Sequence, residues 1–330
     1  MKACLLPDGF EVITAIVSDF HLGTPIEMEC EKYLMERGLR KDFPSIIWRW
    51  MTRPAQSTEM AHELLSKLRH WTDQVISLGD HYSTVVNEHG LAEKRARISA
   101  LWTLDFFNQY NWSKIVWVPS DHDIGVPHKI SRDKTRNLLL NHYRDFEETD
   151  EFRGFLRNAI ATYPEYDYLL DKSSCRAGDS FGRSSYVYER FFGPLSGVTS
   201  LGPISVIWCS DAKIEKRSDM VGQNPFLSKA LTSGTPTLFC VHSPQTLSTI
   251  EGMIGGNNPQ VVGTVAGHLH TPWMARFVVP QGLSEKFKLT VCPSLTGNRL
   301  TDGGALLLGK VHDSFRMLRY SLNKNTLRYV

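Results

Sequence analysis

Val75-Ile76-Ser77-Leu78-Gly79-Asp80-His81 carries a short apolar run directly into a turn that holds a carboxylate and an imidazole. The run Val75 to Leu78 is too short for a helix and ends at glycine, the pattern of a buried strand reaching a sheet edge. Upstream, Met60, Leu64, Leu65, Leu68 and Trp71 recur at helical spacing over Thr58 to Trp71, with Ser57 or Thr58 placed to cap the first turn. Downstream, Ile98, Leu101 and Trp102 share one face of a helix over Ala92 to Phe107, and Lys114 to Val118 reads as the next strand. Val12 to Val17 is an earlier β-branched run of the same kind, stopping at Ser18-Asp19. Helix alternating with buried strand predicts an α/β sheet, and loops leaving the strands of such a sheet converge on one edge.

The alternation breaks over 132–185, which is mostly polar and aromatic, with helical stretches at Leu138 to Phe146 and Phe155 to Tyr163. This segment is expected to be a helical cap inserted in a single domain spanning 1–330. Its Tyr163, Tyr166, Tyr168, Arg176, Arg183 and Tyr186 could stack on a base and pair with phosphate, or simply build the cap. Strands are expected to resume at Ser185 to Phe192, Ile204 to Cys209 and Thr237 to Val241, with short β runs dominating Met274 to Val330.

With 330 residues and 42% hydrophobic composition, the chain can bury a sizeable core. Lysine plus arginine (37) nearly balances aspartate plus glutamate (35), so no overall field makes nucleic acid or an acidic membrane an obligatory partner. The basic cluster Lys94-Arg95-Ala96-Arg97 reads first as a solvated helix face. Six cysteines stand far apart without a C-x-x-C pair and read as reduced core residues. Pro7-Asp8-Gly9 and Glu11 interrupt the first apolar stretch, and no later run reaches membrane-spanning length, so a cytoplasmic protein without a membrane segment is expected.

Five segments place ionisable side chains where apolar runs end: Ser18-Asp19-Phe20-His21, Gly79-Asp80-His81, Ser120-Asp121-His122-Asp123, Val241-His242-Ser243 and Gly267-His268-Leu269-His270. Asp19 and His21 would face one side of an extended strand ending, as ligands of one ion would. Asp80 offers two oxygens able to bridge two cations. Asp121 could bind a metal while His122 protonates a departing oxygen. His242, His268 and His270 add imidazoles suited to first-row metals. Taken singly, each has an ordinary structural reading: a strand-end turn, a capped charged loop, or a hydrogen-bonded core histidine.

As an ordered set, these segments resemble the calcineurin-like metallophosphoesterases, whose series is D-x-H, G-D, G-N-H-[DE], H and G-H-x-H. The resemblance runs from Asp19 to His270. It implies a four-layer α-β-β-α sandwich of two mixed sheets, with Asp19, His21 and His270 on one metal, Asp121, His242 and His268 on the other, and Asp80 bridging. It further implies that His122 serves as proton donor to the leaving group, oriented by Asp123. The implied cofactors are two divalent ions, Mn, Fe or Zn, with Mn favoured. The implied activity is hydrolysis of a phosphodiester or phosphomonoester by in-line attack of a metal-bridging hydroxide.

One position departs from the series, since Ser120-Asp121-His122 stands where the family has G-N-H. Asp121 would add an anion and reduce the site's net positive charge, and Ser120 would tolerate a left-handed backbone less readily than glycine. A metal-dependent nuclease and a non-catalytic scaffold that retains the fold remain the alternatives.

Overall fold

A computed structural model describes residues 4–22, 54–81, 92–120, 123, 150, 154, 157, 161, 188–210, 234–254, 260–269, 278–295 and 303–330. Its first unit is strand β1 (Phe10–Val17), helix α1 (Pro54–Leu68), β2 (Gln74–Ser77), α2 (Ala92–Asn108) and β3 (Lys114–Trp117). A second run follows with β4 (Ser196–Leu201), β5 (Ile204–Cys209), β6 (Thr237–Val241), α3 (Leu247–Ile254), β7 (Val261–Ala266), α4 (Gln281–Lys286) and β8 (Leu289–Val291). The chain ends on β9 (Gly304–Val311), β10 (Ser314–Ser321) and β11 (Thr326–Tyr329).

The architecture is α/β with two mixed sheets, of 6 strands in the order β11-β10-β9-β1-β2-β3 and of 5 strands in the order β4-β5-β6-β7-β8. In the first, β1, β2 and β3 run parallel, while β9 joins β1 antiparallel and starts a meander through β10 and β11. In the second, β5 through β8 run parallel and β4 closes one edge antiparallel. The parallel pairs need crossovers, and α1, α2, α3 and α4 lie in those connections.

Alternation along each strand divides its residues between separate cores. Ile16, Ile76, Val116, Leu306 and Leu308 of the first sheet cluster with Val206, Leu238, Cys240 and Val265 of the second. Their sequence neighbours Ala15, Val17, Val75 and Leu307 join Leu64, Leu65 and Leu68 of α1 and Phe106 and Phe107 of α2. On the second sheet, Ile207, Phe239, Val241 and Ala266 join Leu247 and Ile250 of α3. This division explains why the parallel strands read as unbroken apolar runs, since both faces are buried. Each fully buried leucine contributes about 1.5–3 kcal/mol of transfer free energy.

Residues 188–192 are helical, not the strand expected over Ser185 to Phe192. Tyr188 and Phe192, one helical turn apart, lie with ring centroids 5.1 Å apart, whereas a strand would set residues i and i+4 about 13 Å apart. The short aromatic run fitted either period, and tertiary packing selected the helix. The expected cap over 132–185 lies outside the described residues except at positions 150, 154, 157 and 161, each of which is helical. The named tyrosines and arginines of that segment also lie outside them. No helix among the described residues is long and apolar enough to cross a membrane.

Candidate metal centre

The C-terminal ends of parallel strands from both sheets meet at one place. An isolated bridge pairs Ser18, just after β1, with Ser294, just beyond β8, and the Leu295 amide donates to the Asp19 carbonyl at 3.3 Å. At this seam the loops after β1 and β2 are joined by successive backbone bonds. The amides of Asp19, His21 and Leu22 donate to the carbonyls of Gly79, Asp80 and His81 at 3.1, 2.8 and 3.0 Å.

Within the first loop, neighbouring residues have different environments. Phe20 and Leu22 are buried in the helix-side core, with Phe20 edge-on to Phe107 at 5.3 Å. Asp19 and His21 are also buried, but as polar groups of the centre. They do not reach it from an extended strand ending, as the sequence suggested. Both adopt left-handed backbone, with φ of 53° and 43°, as do Asp80 at 52° and His268 at 64°. Non-glycine residues adopt this region rarely and at a cost, and such strain gathers at functional sites.

Asp80 is the hub. His21 Nε2 lies 3.3 Å from its Oδ2, and His242 Nε2 lies 3.4 Å from its Oδ1. Donor atoms of Asp19, Asp80 and His242 all lie within 4.8 Å of one another, and the three residues are buried. Two carboxylates at that separation, both ionised, repel by on the order of 3 kcal/mol at an effective dielectric constant near 20. A cation among them reverses the sign.

The histidine chemistry fits such an ion. A carbonyl oxygen can only accept, so the 2.8 Å contact from His242 Nδ1 to Leu78 O fixes the proton on Nδ1 and presents the Nε2 lone pair to the carboxylates. His268 Nδ1 stands 3.2 Å from that same Nε2, and its backbone amide donates to both oxygens of Asp19 at 3.2 Å. The Asp19 carboxylate also accepts from the Ser18 hydroxyl. The Gly267 amide donates to the His242 carbonyl at 2.9 Å, joining the loops after β6 and β7.

Two glycines make this convergence sterically feasible. A Cβ on Gly79, whose φ is +93°, would stand 2.7 Å from Ser120 Cβ and 2.9 Å from His242 Nδ1. One on Gly267 would stand 2.0 Å from Ser18 Oγ and 2.9 Å from Asp19 Oδ2.

The structure thus brings Asp19, His21, Asp80, His242 and His268 together, while Asp121, His122 and His270 lie outside the described residues. Asp123 is buried beside this group. Its Oδ1 accepts from the His81 amide at 2.9 Å, its Oδ2 accepts from the Ser120 amide at 3.1 Å, and His81 Nδ1 lies 2.6 Å from Oδ2. Ser120 is not left-handed, so it carries none of the backbone strain that the sequence suggested for this position. Its hydroxyl instead accepts from the Asp123 amide at 3.1 Å, a bond glycine cannot make.

Sequence reasoning gave no role to His81, Ser18 or the Leu78 carbonyl. For His81 no local signal existed, because β2 ends at Ser77 and Asp80 is left-handed, so strand alternation does not set where the next ring lies. Compared with protein-family models and with curated proteins, the sequence matches none.

Proposed function

We propose that this chain is a metal-dependent phosphoric ester hydrolase with a two-ion centre of the calcineurin-like type, acting on a phosphodiester or phosphomonoester. The observation that carries the reading is the buried Asp19, Asp80 and His242 group at the seam of two sheets, flanked by His21 and His268. Three apolar clusters, one with residues of both sheets and one with the helices of each, support the four-layer α-β-β-α sandwich that the reading requires.

In this reading Asp19, His21 and His270 would hold one ion, Asp121, His242 and His268 would hold the other, and Asp80 would serve both. Divalent ions, Mn favoured over Fe or Zn, would supply Lewis acidity toward phosphoryl oxygens and lower the pKa of water so that it attacks at neutral pH. Asp80 accepts this role because its two oxygens already face different histidines. The Leu78 carbonyl holds the His242 ring in one tautomer, and the His268 amide holds the Asp19 carboxylate. His122 gives a proton to the leaving oxygen.

The test is hydrolysis of a chromogenic phosphodiester beside a phosphomonoester, with Mn2+ or EDTA, by the wild type and Asp80→Asn. Turnover that needs Mn2+ and is lost in Asp80→Asn is expected. No turnover of either ester, or turnover insensitive to EDTA, overturns the proposal. Degradation of DNA or RNA with the same metal dependence would instead favour the nuclease.

A further inference from the structure

We propose that His81 is a positioning residue of the centre, locked to Asp123 so that Asp80 is presented to the metal ions in one orientation. The inference rests on the two-ion reading and adds to it a residue that the motif series leaves without a role.

His81 follows Asp80 directly, yet the two side chains engage different surroundings. Asp80 meets His21 and His242, whereas the His81 ring is fully buried among aromatic rings. It stacks on Phe192 at 5.5 Å with an interplanar angle of 16°, meets Trp117 edge-on at 4.9 Å and lies 6.1 Å from Tyr188. A polar ring in such a box loses its hydration; its Nδ1 has a close ionic contact, 2.6 Å, with the Asp123 carboxylate, whereas its Nε2 is buried without a hydrogen-bond partner among the described residues.

The same carboxylate accepts from the His81 and Ser120 amides, so one side chain grips the loops after β2 and β3 together. The His81 carbonyl meanwhile accepts from Leu22 in the loop after β1. Peptide geometry does the rest. With the His81 ring, amide and carbonyl all held, the left-handed Asp80 just before it has little freedom to turn its carboxylate away from the ions. Groups one step removed from a metal act this way, and their loss typically costs 10–100-fold in metal affinity.

Two substitutions separate this role from simple packing. His81→Phe keeps an aromatic ring in the box and removes the contact to Asp123. His81→Asn empties part of the box but places an amide donor near the position of Nδ1. Positioning requires Mn2+ affinity, measured by calorimetric titration, to fall about 10–100-fold in His81→Phe and to stay within a few-fold of wild type in His81→Asn. A packing role requires the reverse order. Asp123→Asn, which replaces one acceptor oxygen by an NH2 donor facing N–H groups of His81 or Ser120, should lose affinity like His81→Phe, and it decides the matter should His81→Phe fail to fold.

Wild-type Mn2+ affinity in His81→Phe, or in Asp123→Asn if that variant must serve, overturns the inference. If Asp80→Asn loses bound Mn2+ while these variants keep it, the positioning role alone falls. If the wild type itself takes up no Mn2+, the two-ion reading falls and the role of His81 with it.

Discussion

The His268 amide donates to both carboxylate oxygens of Asp19 at 3.2 Å, joining residues 249 positions apart at the seam between the two sheets. The approach depends on Gly267, because a Cβ there would lie 2.0 Å from Ser18 Oγ and 2.9 Å from Asp19 Oδ2. Gly267→Ala should therefore displace the Asp19 carboxylate and lower stability by about 1–3 kcal/mol, the usual cost of overpacking. Urea unfolding checks the stability and Mn2+ titration the centre. Wild-type behaviour in both would show that the loop gives way without moving Asp19.

Gly79 and Gly252 make a matched pair. Alanine at 79 must adopt φ near +93° and push against Ser120 and His242, so destabilisation by at least about 1 kcal/mol and weaker Mn2+ binding are expected. Gly252 lies in α3 at ordinary φ, and a Cβ there meets nothing within 4 Å. Gly252→Ala should raise stability by about 0.4–1 kcal/mol through the unfolded chain and helix propensity, with Mn2+ binding unchanged. Denaturation midpoints of the two variants, measured side by side, check both signs.

An ion bound only by the folded centre must stabilise the fold by mass action. At a free Mn2+ concentration 100 times the dissociation constant, the gain is about 2.7 kcal/mol, and EDTA should remove it. His242→Ala takes away the nitrogen within 3.4 Å of Asp80 and should abolish the Mn2+-dependent rise in melting temperature. Calorimetric scans with Mn2+ and with EDTA measure it. An equal rise in His242→Ala would place the bound ion elsewhere.

Much of this arrangement was legible because its elements obey simple periods. Val75 to Leu78 and Thr237 to Val241 are short apolar runs stopped by a turn or a histidine, and both are strands ending at the seam. Helix α1 shows its buried face in the spacing of Leu64, Leu65 and Leu68, and in α2 the expected Leu101 is buried and Trp102 packs against the helix-side core. The strand β4 was not legible, since Ser196-Gly197-Val198-Thr199-Ser200 is polar and pairs only along a sheet edge. The left-handed turns at Asp19 and His21 were equally hidden, because long-range bonds to the carbonyls of Gly79 and Asp80 impose them. Local sequence carries no trace of a partner 60 residues away.

The thiol of Cys240 is fully buried in the core shared by the two sheets, and burial, with a smaller contribution from Cys209, pushes its pKa well above 9.0. The unfolded chain releases that proton near the ordinary value while the folded chain retains it. The folded state then binds more protons, and stability must fall as pH rises above about 9. One such proton steepens the fall by at most about 1.4 kcal/mol per pH unit. Cys240→Ala should lose stability at pH 8 through the small cavity it leaves, yet decline less steeply than wild type between pH 9 and the folded-state pKa. Urea unfolding at half-unit steps from pH 8 upward gives both slopes. Parallel lines would mean that the buried thiol already ionises near its ordinary value.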